Sequence, residues 1–201
     1  VRALADRPTI ALDLRGHGTS PRPGDYSPTL MVDDVLTFLD ARDLSEVDLV
    51  GHSLGGHVAS LLAGRRPELV RRLVLEDTPA PPRAGAALPD DDPPTEPDTP
   101  PLFDWRVVTP LRAAIRAPNP SWWRGLPRIT APTLWIGGGP TSHVDQAAMA
   151  AAAATMPSAE VATIPVGHLV HTAAPEEFTR LVVPFLTRWP RPSPSGAAPT
   201  G

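Results

Sequence analysis

Val47–Ser60 reads Val-Asp-Leu-Val-Gly-His-Ser-Leu-Gly-Gly-His-Val-Ala-Ser, and its character changes twice. Val47–Val50 is a short apolar run suited to a buried strand. A turn follows with one serine among glycines, and then a stretch of small, helix-compatible residues. Gly51-His52-Ser53-Leu54-Gly55 fits G-x-S-x-G, in which a strand turns sharply into a helix around a serine. That turn strains the backbone at the serine and brings strand and helix close together on either side. Neighbours lacking a Cβ are therefore expected, and Gly51, Gly55 and Gly56 fill that role. Ser53 then stands clear of the sheet at a helix N-terminus, where unpaired N–H groups favour a developing oxyanion. Leu54 N–H is the first such donor.

Outward from this turn, the chain alternates strand-like and helix-like segments. On the N-terminal side, Thr9–Leu14 reads as a strand and Arg15–Ser20 as a glycine-punctuated loop. Ser27-Pro28 reads as an N-cap with proline at the first helical position, opening a helix to about Asp40. On the C-terminal side the helix runs to about Ala63, with Gly64 as its stop and Pro67 barring continuation. Further strands are expected at Arg72–Asp77, Pro132–Gly137 and Glu160–Ile164, with helices near Asp145–Met156 and from Pro175 to about Arg188. Such alternation predicts an α/β fold: a mostly parallel sheet with helices on both faces.

Two stretches break the pattern. Thirteen of the 28 prolines fall between Pro79 and Pro127, so residues 78–127 read as an irregular insert. Its second half carries Phe103, Trp105, Trp122 and Trp123, and a short helix is expected near Pro110–Ala117. Residues 189–201, rich in Pro, Ser, Gly and Ala, read as a disordered tail. The expected organisation is one domain over residues 1–188.

Composition removes several classes of function. The 201 residues carry a net charge of −4, which gives no electrostatic case for nucleic acid or an anionic membrane surface. There is no cysteine, which excludes disulfides, thiolate catalysis and cysteine-based zinc sites. There is no lysine either, which excludes Schiff-base chemistry and a P-loop. No cofactor or metal is called for. No apolar run nears the roughly 18 residues that span a bilayer, and the first residues lack a signal-peptide core, so a cytoplasmic protein is expected. Oligomeric state is not legible.

A nucleophilic serine needs a base, and in open α/β sheets chemistry lies beyond the carboxyl ends of the strands. His168, in the Val166-Gly167-His168 turn after the last strand, meets that condition. His52 and His57 flank the serine without pointing naturally at it. His171 lies one helical turn past His168, and His17 reads as a structural loop residue. Asp13 and its loop also read as a structural turn.

In order along the chain, Asp-Leu-Arg-Gly-His-Gly-Thr-Ser (13–20), Gly-His-Ser-Leu-Gly-Gly (51–56), Leu-Val-Leu-Glu-Asp (73–77), Pro-Thr-Leu-Trp-Ile-Gly (132–137), Val-Gly-His-Leu-Val-His (166–171) and Pro-Glu-Glu-Phe (175–178) together resemble the α/β-hydrolase superfamily. The resemblance covers nearly everything except the proline-rich insert and the tail. It implies a triad in the chain order nucleophile, acid, histidine, with Ser53 as nucleophile and His168 as general base. The insert 78–127 then corresponds to the family's cap over the pocket, and its aromatic residues imply an apolar acyl or alcohol group. The commonest position for the acid, after the Thr133–Ile136 strand, holds Thr141, which has no carboxylate. A recognised variation moves the acid to the end of the preceding strand, which here favours Asp77; Asp145 and Glu76 are the alternatives.

The resemblance also implies three strands before Thr9–Leu14 and a His-Gly loop that completes the oxyanion hole. On that expectation the chain is an N-terminally truncated hydrolase, poorly stable and weakly active. Thr9–Leu14 and Val47–Val50 must then pair directly or leave exposed edges. The function expected is a serine hydrolase acting on an ester, lactone or related acyl bond of a small, partly apolar substrate through an acyl-enzyme. The other reading is a truncated or degenerate, non-catalytic binding protein.

Overall fold

The computed structural model describes Leu4, residues 7–90 and residues 94–187. The expected tail 189–201 and most of the acidic run Asp90–Asp92 lie outside the described residues. The elements, in chain order, are α1 (Pro28–Ala41), β1 (Val47–His52), α2 (Leu54–Arg65), β2 (Val70–Glu76), α3 (Val108–Arg116), α4 (Pro120–Gly125), β3 (Thr133–Gly137), α5 (Gln146–Ala153), β4 (Ala159–Thr163), α6 (Val170–Ala173) and α7 (Pro175–Thr187). Among the described residues the four strands form one parallel sheet in the order β1-β2-β3-β4.

Residues adjacent along each interior strand face opposite ways, and the core divides accordingly. Leu73, Leu75 and Trp135 face a large cluster built with α1, α2, α4 and α5, including Met31, Leu62, Trp122 and Met149. Val74, Leu134 and Ile136 face a smaller cluster with Val170 of α6 and Val182, Phe185 and Leu186 of α7. Burial on both sides explains why Leu73–Leu75 of β2 and Leu134–Ile136 of β3 are continuous apolar runs. Each fully buried side chain of this size contributes about 1.5–3 kcal/mol relative to exposure.

Local signals set the helix ends. Ser27 Oγ accepts from Leu30 N at the start of α1, with Pro28 as its first residue. Asp145 Oδ1 accepts from Ala147 N and Ala148 N at the start of α5. Gly64 does not stop α2, which continues to Arg65. Instead, a Cβ at Gly64 would lie 3.2 Å from the Gly125 carbonyl oxygen, so its smallness serves the approach of α4.

The largest correction is at Thr9–Leu14. This stretch is not a strand: it makes no ladder among the described residues, and Ile10 and Leu12 are 52% and 41% exposed. Composition suits it to an extended form, but a strand exists only where another backbone supplies its hydrogen bonds. It does not pair with β1. The outer edge of β1 is open among the described residues, and Val50 is 49% exposed.

The described residues of 78–104 form no helix or strand. They are tied to the first glycine loop by an antiparallel bridge between His17 and Phe103 and by Gly18 N donating to the Leu102 carbonyl at 2.7 Å. The helix expected near Pro110 begins two residues earlier, as α3. No helix among the described residues is long and apolar enough to cross a membrane.

Candidate active site

The register of the sheet gathers the candidate residues at one end. His52 pairs with Glu76 and Glu76 with Ile136, so β1, β2 and β3 finish level. The next residues in line are Ser53, Asp77 and Gly137, so Ser53 and Asp77 emerge side by side and Gly138 follows one residue further on. His168 arrives from the loop after β4.

Ser53 occupies the N-cap of α2 with φ 52° and ψ −117°, a left-handed conformation that non-glycine residues rarely adopt. The surroundings hold it there. Ser53 N donates to the Glu76 carbonyl at 2.9 Å, and the Ser53 carbonyl accepts from His57 N at 2.9 Å, opening the helix. A Cβ at Gly51 would meet the Gly55 carbonyl at 2.5 Å, and one at Gly56 would lie 1.9 Å from Thr78 Oγ1. These two glycines permit the close approach. At Gly55 a Cβ would meet nothing within 4 Å, so the steric reason expected for that glycine does not apply.

Asp77 is completely buried at the end of β2 and accepts four hydrogen bonds. Oδ1 takes Gly138 N at 2.8 Å and Gln146 Nε2 at 3.0 Å; Oδ2 takes the Ser142 hydroxyl and His168 Nδ1, the latter at 2.7 Å. Burial alone pushes this carboxyl up. The donors, His168 first, outweigh burial and hold it at about 2, so it is ionised at neutral pH. Gly138 fits only as glycine, because a Cβ there would stand 2.2 Å from the Gly167 carbonyl oxygen. Since Asp77 is an anion, Nδ1 of His168 is the donor, and Nε2 of the neutral ring carries the lone pair.

The other carboxylates have different partners. Glu76, 2% exposed, accepts from His171 N at 2.8 Å and from His171 Nδ1 at 2.9 Å. Asp145 caps α5. Of the three carboxylates weighed on the sequence, Asp77 is the one joined to His168. His52 Nε2 donates to the His168 carbonyl at 2.8 Å. His57 is buried in the core, stacked on Trp122 at 5.7 Å, and burial takes its imidazole down to about 4. Asp13 holds its own loop, accepting from Thr19 N at 2.9 Å.

A cavity of about 460 Å³ opens at Ser53, walled by Leu54, Phe103, Leu111, Ile115 and His143 among others. The tryptophans of the insert do not line it. Trp122 is 2% exposed, with its Nε1 donating to Ser60 Oγ at 2.8 Å; Trp123 Nε1 donates to the Pro81 carbonyl at 2.8 Å; Trp105 stacks on Phe103. An indole that can reach an internal acceptor is stable in the core. His143, missed in the sequence, lies with its ring centroid 4.2 Å from that of His168. Burial and the neighbouring His168 both push its pKa down. Ser142 and Gln146 were also missed. Their only sequence signal was position, just after the glycine run that ends β3. Among the described residues, Ser53 Oγ makes no hydrogen bond, and no group of three or more His, Cys, Asp or Glu could hold a metal ion.

Residues 1–181 match the model of the Alpha/beta hydrolase family. The 2-hydroxymuconate semialdehyde hydrolase of Pseudomonas sp. (strain CF600) is 49% identical over 71 residues, which are 34% of this chain and 25% of that protein. The mouse sn-1-specific diacylglycerol lipase ABHD11 is 28% identical over 90% of this chain and 72% of its own length. Among solved structures, a hydrolase from Pseudomonas aeruginosa PA01 aligns with a TM-score of 0.62 at 27% identity, covering 87% of this chain and 77% of that one. An enol-lactonase from Burkholderia xenovorans LB400 aligns with a TM-score of 0.69 at 21% identity, covering 87% and 78%. At that identity the likeness is one of fold.

Proposed function

The chain belongs to the α/β-hydrolase family, and from that premise we propose that it is a serine hydrolase cleaving an ester, lactone or related acyl bond through an acyl-enzyme on Ser53. The observation that carries this reading is the ionised, four-fold bonded Asp77 holding His168 by Nδ1, beside a serine in a strained strand-to-helix turn.

The chemistry runs as follows. Ser53 Oγ attacks the acyl carbon as its proton passes to His168 Nε2. The tetrahedral oxyanion is met by Leu54 N–H at the start of α2, and the buried Asp77 carboxylate stabilises the imidazolium. The imidazolium returns its proton to the departing alkoxide, which leaves as the alcohol. Water, activated by the same nitrogen, then releases the acid and restores the serine. Leu54 supplies one oxyanion donor, and a second would be worth about 10²–10³ in turnover. The cavity's apolar wall of Phe103, Leu111 and Ile115 favours an acyl or alcohol group of moderate size. We treat residues 78–127 as the cap over that cavity, within a single domain.

A fluorophosphonate probe tests the assignment without knowledge of the substrate. Ser53 should be labelled, and labelling should disappear in Ser53→Ala and His168→Ala. A folded protein that takes no label, or labels in Ser53→Ala, overturns it in favour of a non-catalytic binding role.

A further inference from the structure

Two carboxylates stand next to one another at the end of β2, and each holds an imidazole. Asp77 holds His168; Glu76 holds His171, three residues further on. The mechanism above uses only the first pair. Glu76 is 2% exposed, yet it takes both the backbone N–H of His171, at 2.8 Å, and its Nδ1–H, at 2.9 Å. A buried carboxylate receiving main-chain and side-chain donors from one residue fixes that residue in position and in angle.

Glu76 reaches the nucleophile as well. Its own carbonyl accepts Ser53 N–H at 2.9 Å, which sets the height of the strained turn above the sheet. Thus the main chain of Glu76 ties down Ser53, and its side chain ties down the first turn of α6, directly after His168. From the other side, His52 Nε2 donates to the His168 carbonyl at 2.8 Å. The His52 ring packs near both histidines, with centroids 4.5 Å from His168 and 5.3 Å from His171. The loop carrying His168 is therefore held by the His52 side chain on one flank and by the Glu76–His171 pair on the other.

We infer that Glu76 and His171 are positioning residues, a second carboxylate–imidazole pair that sets the placement of His168 relative to Ser53. Neither touches the reacting atoms; they act through the loop. The inference rests on the proposed roles of Ser53 and His168 for its effect on rate, but the geometry it describes is independent of turnover.

The test compares His171→Leu with His171→Asn. The Asn amide N–H stands where the imidazole Nδ1–H stood and can still donate to Glu76, whereas Leu cannot. His171 is 46% exposed on its side chain, so both changes leave the core intact, and thermal melts check this. Two readouts are taken: the rate of fluorophosphonate labelling at Ser53, and the low-field proton resonance of His168 Nδ1–H, assigned by its loss in His168→Ala. A loosened base loop should slow labelling in His171→Leu by about 10–100-fold and broaden the resonance. His171→Asn should restore labelling to within about threefold of wild type and recover the resonance. The inference is overturned if His171→Leu labels at the wild-type rate with its resonance sharp, or if Asn does no better than Leu. If wild-type protein takes no label while the resonance still responds to His171→Leu and recovers in Asn, the positioning role stands and the nucleophile assignment fails.

Discussion

Replacing Asp77 by asparagine tests the site most sharply, because the structure dictates how the new side chain must sit. Wild-type Asp77 receives donors on both oxygens. Asparagine has one oxygen, which must face Gly138 N, since a backbone N–H cannot turn round. Gln146 is equally fixed, because its Oε1 accepts Gly139 N at 3.2 Å and its Nε2 also donates to the Val144 carbonyl at 2.9 Å. The asparagine NH₂ therefore faces Ser142 and His168. The Ser142 hydroxyl can rotate, but His168 must offer Nδ1 as an acceptor and carry its proton on Nε2. That tautomer cannot accept a proton from Ser53. The size of the loss follows from wrong-tautomer behaviour in serine triads generally, about 10⁴-fold in turnover, or roughly 5.5 kcal/mol. The assay is hydrolysis of a p-nitrophenyl acyl ester by wild type, Asp77→Asn and Asp145→Asn, with ¹⁵N NMR reporting the His168 tautomer. Wild-type turnover in Asp77→Asn, or an equal collapse in Asp145→Asn, would refute the reasoning. The same variant carries a stability signature. Held at about 2 rather than 3.8, the carboxylate contributes about 2 kcal/mol at neutral pH. This contribution is present above about pH 4 and lost as pH falls through about 2, so the melting temperature of Asp77→Asn should fall less steeply across that window.

Three further outcomes are expected. Ser53→Gly should abolish labelling yet raise stability by about 1 kcal/mol in urea denaturation, because glycine relieves the positive φ; a destabilised variant would show that the turn is unstrained. Gly56→Ala should lower stability by about 2 kcal/mol or more through its clash with Thr78 Oγ1, while Gly55→Ala, with open space around its Cβ, should be neutral or mildly stabilising; equal effects would contradict the packing described. His57 is kept neutral chiefly by burial, against a weaker opposing bond to the Pro79 carbonyl, so protons favour the unfolded chain below about pH 6.5. Stability should be undiminished from this source above that pH and fall by up to about 3 kcal/mol as pH drops towards 4. His57→Gln should flatten that slope, and an unchanged slope would rule the cause out.

The strand-turn-helix at Ser53 was legible because its chemistry is local: five residues carry the turn, and the runs on either side carry strand and helix. Alternating apolar segments likewise revealed a sheet covered on both faces. What the sequence withheld was partnership. Thr9–Leu14 has the composition of a strand, but pairing depends on a neighbour that local residues do not name. Glu76 and Asp77 are adjacent carboxylates at the end of a buried strand, and only the incoming loops assign one to His171 and the other to His168. The aromatic residues of the insert imply a pocket, but the hydroxyl of Ser60, remote in sequence, draws Trp122 into the core. Ser142 and Gln146 have ordinary loop and helix character; they become donors to Asp77 only once β2 and β3 lie level.

The order of strands also places the two halves of the candidate machinery on unequal footing. Among the described residues, Ser53 hangs from β1, a rim of the sheet paired on one side, whereas Asp77 hangs from β2, paired on both. Amide exchange on a rim strand proceeds through local opening, while that of an interior strand awaits larger unfolding. On warming, the nucleophile's support frays first, with the bed of the acid still closed. Loss of labelling should therefore come at a lower temperature than loss of secondary structure, and the interval between them measures how far the rim opens on its own.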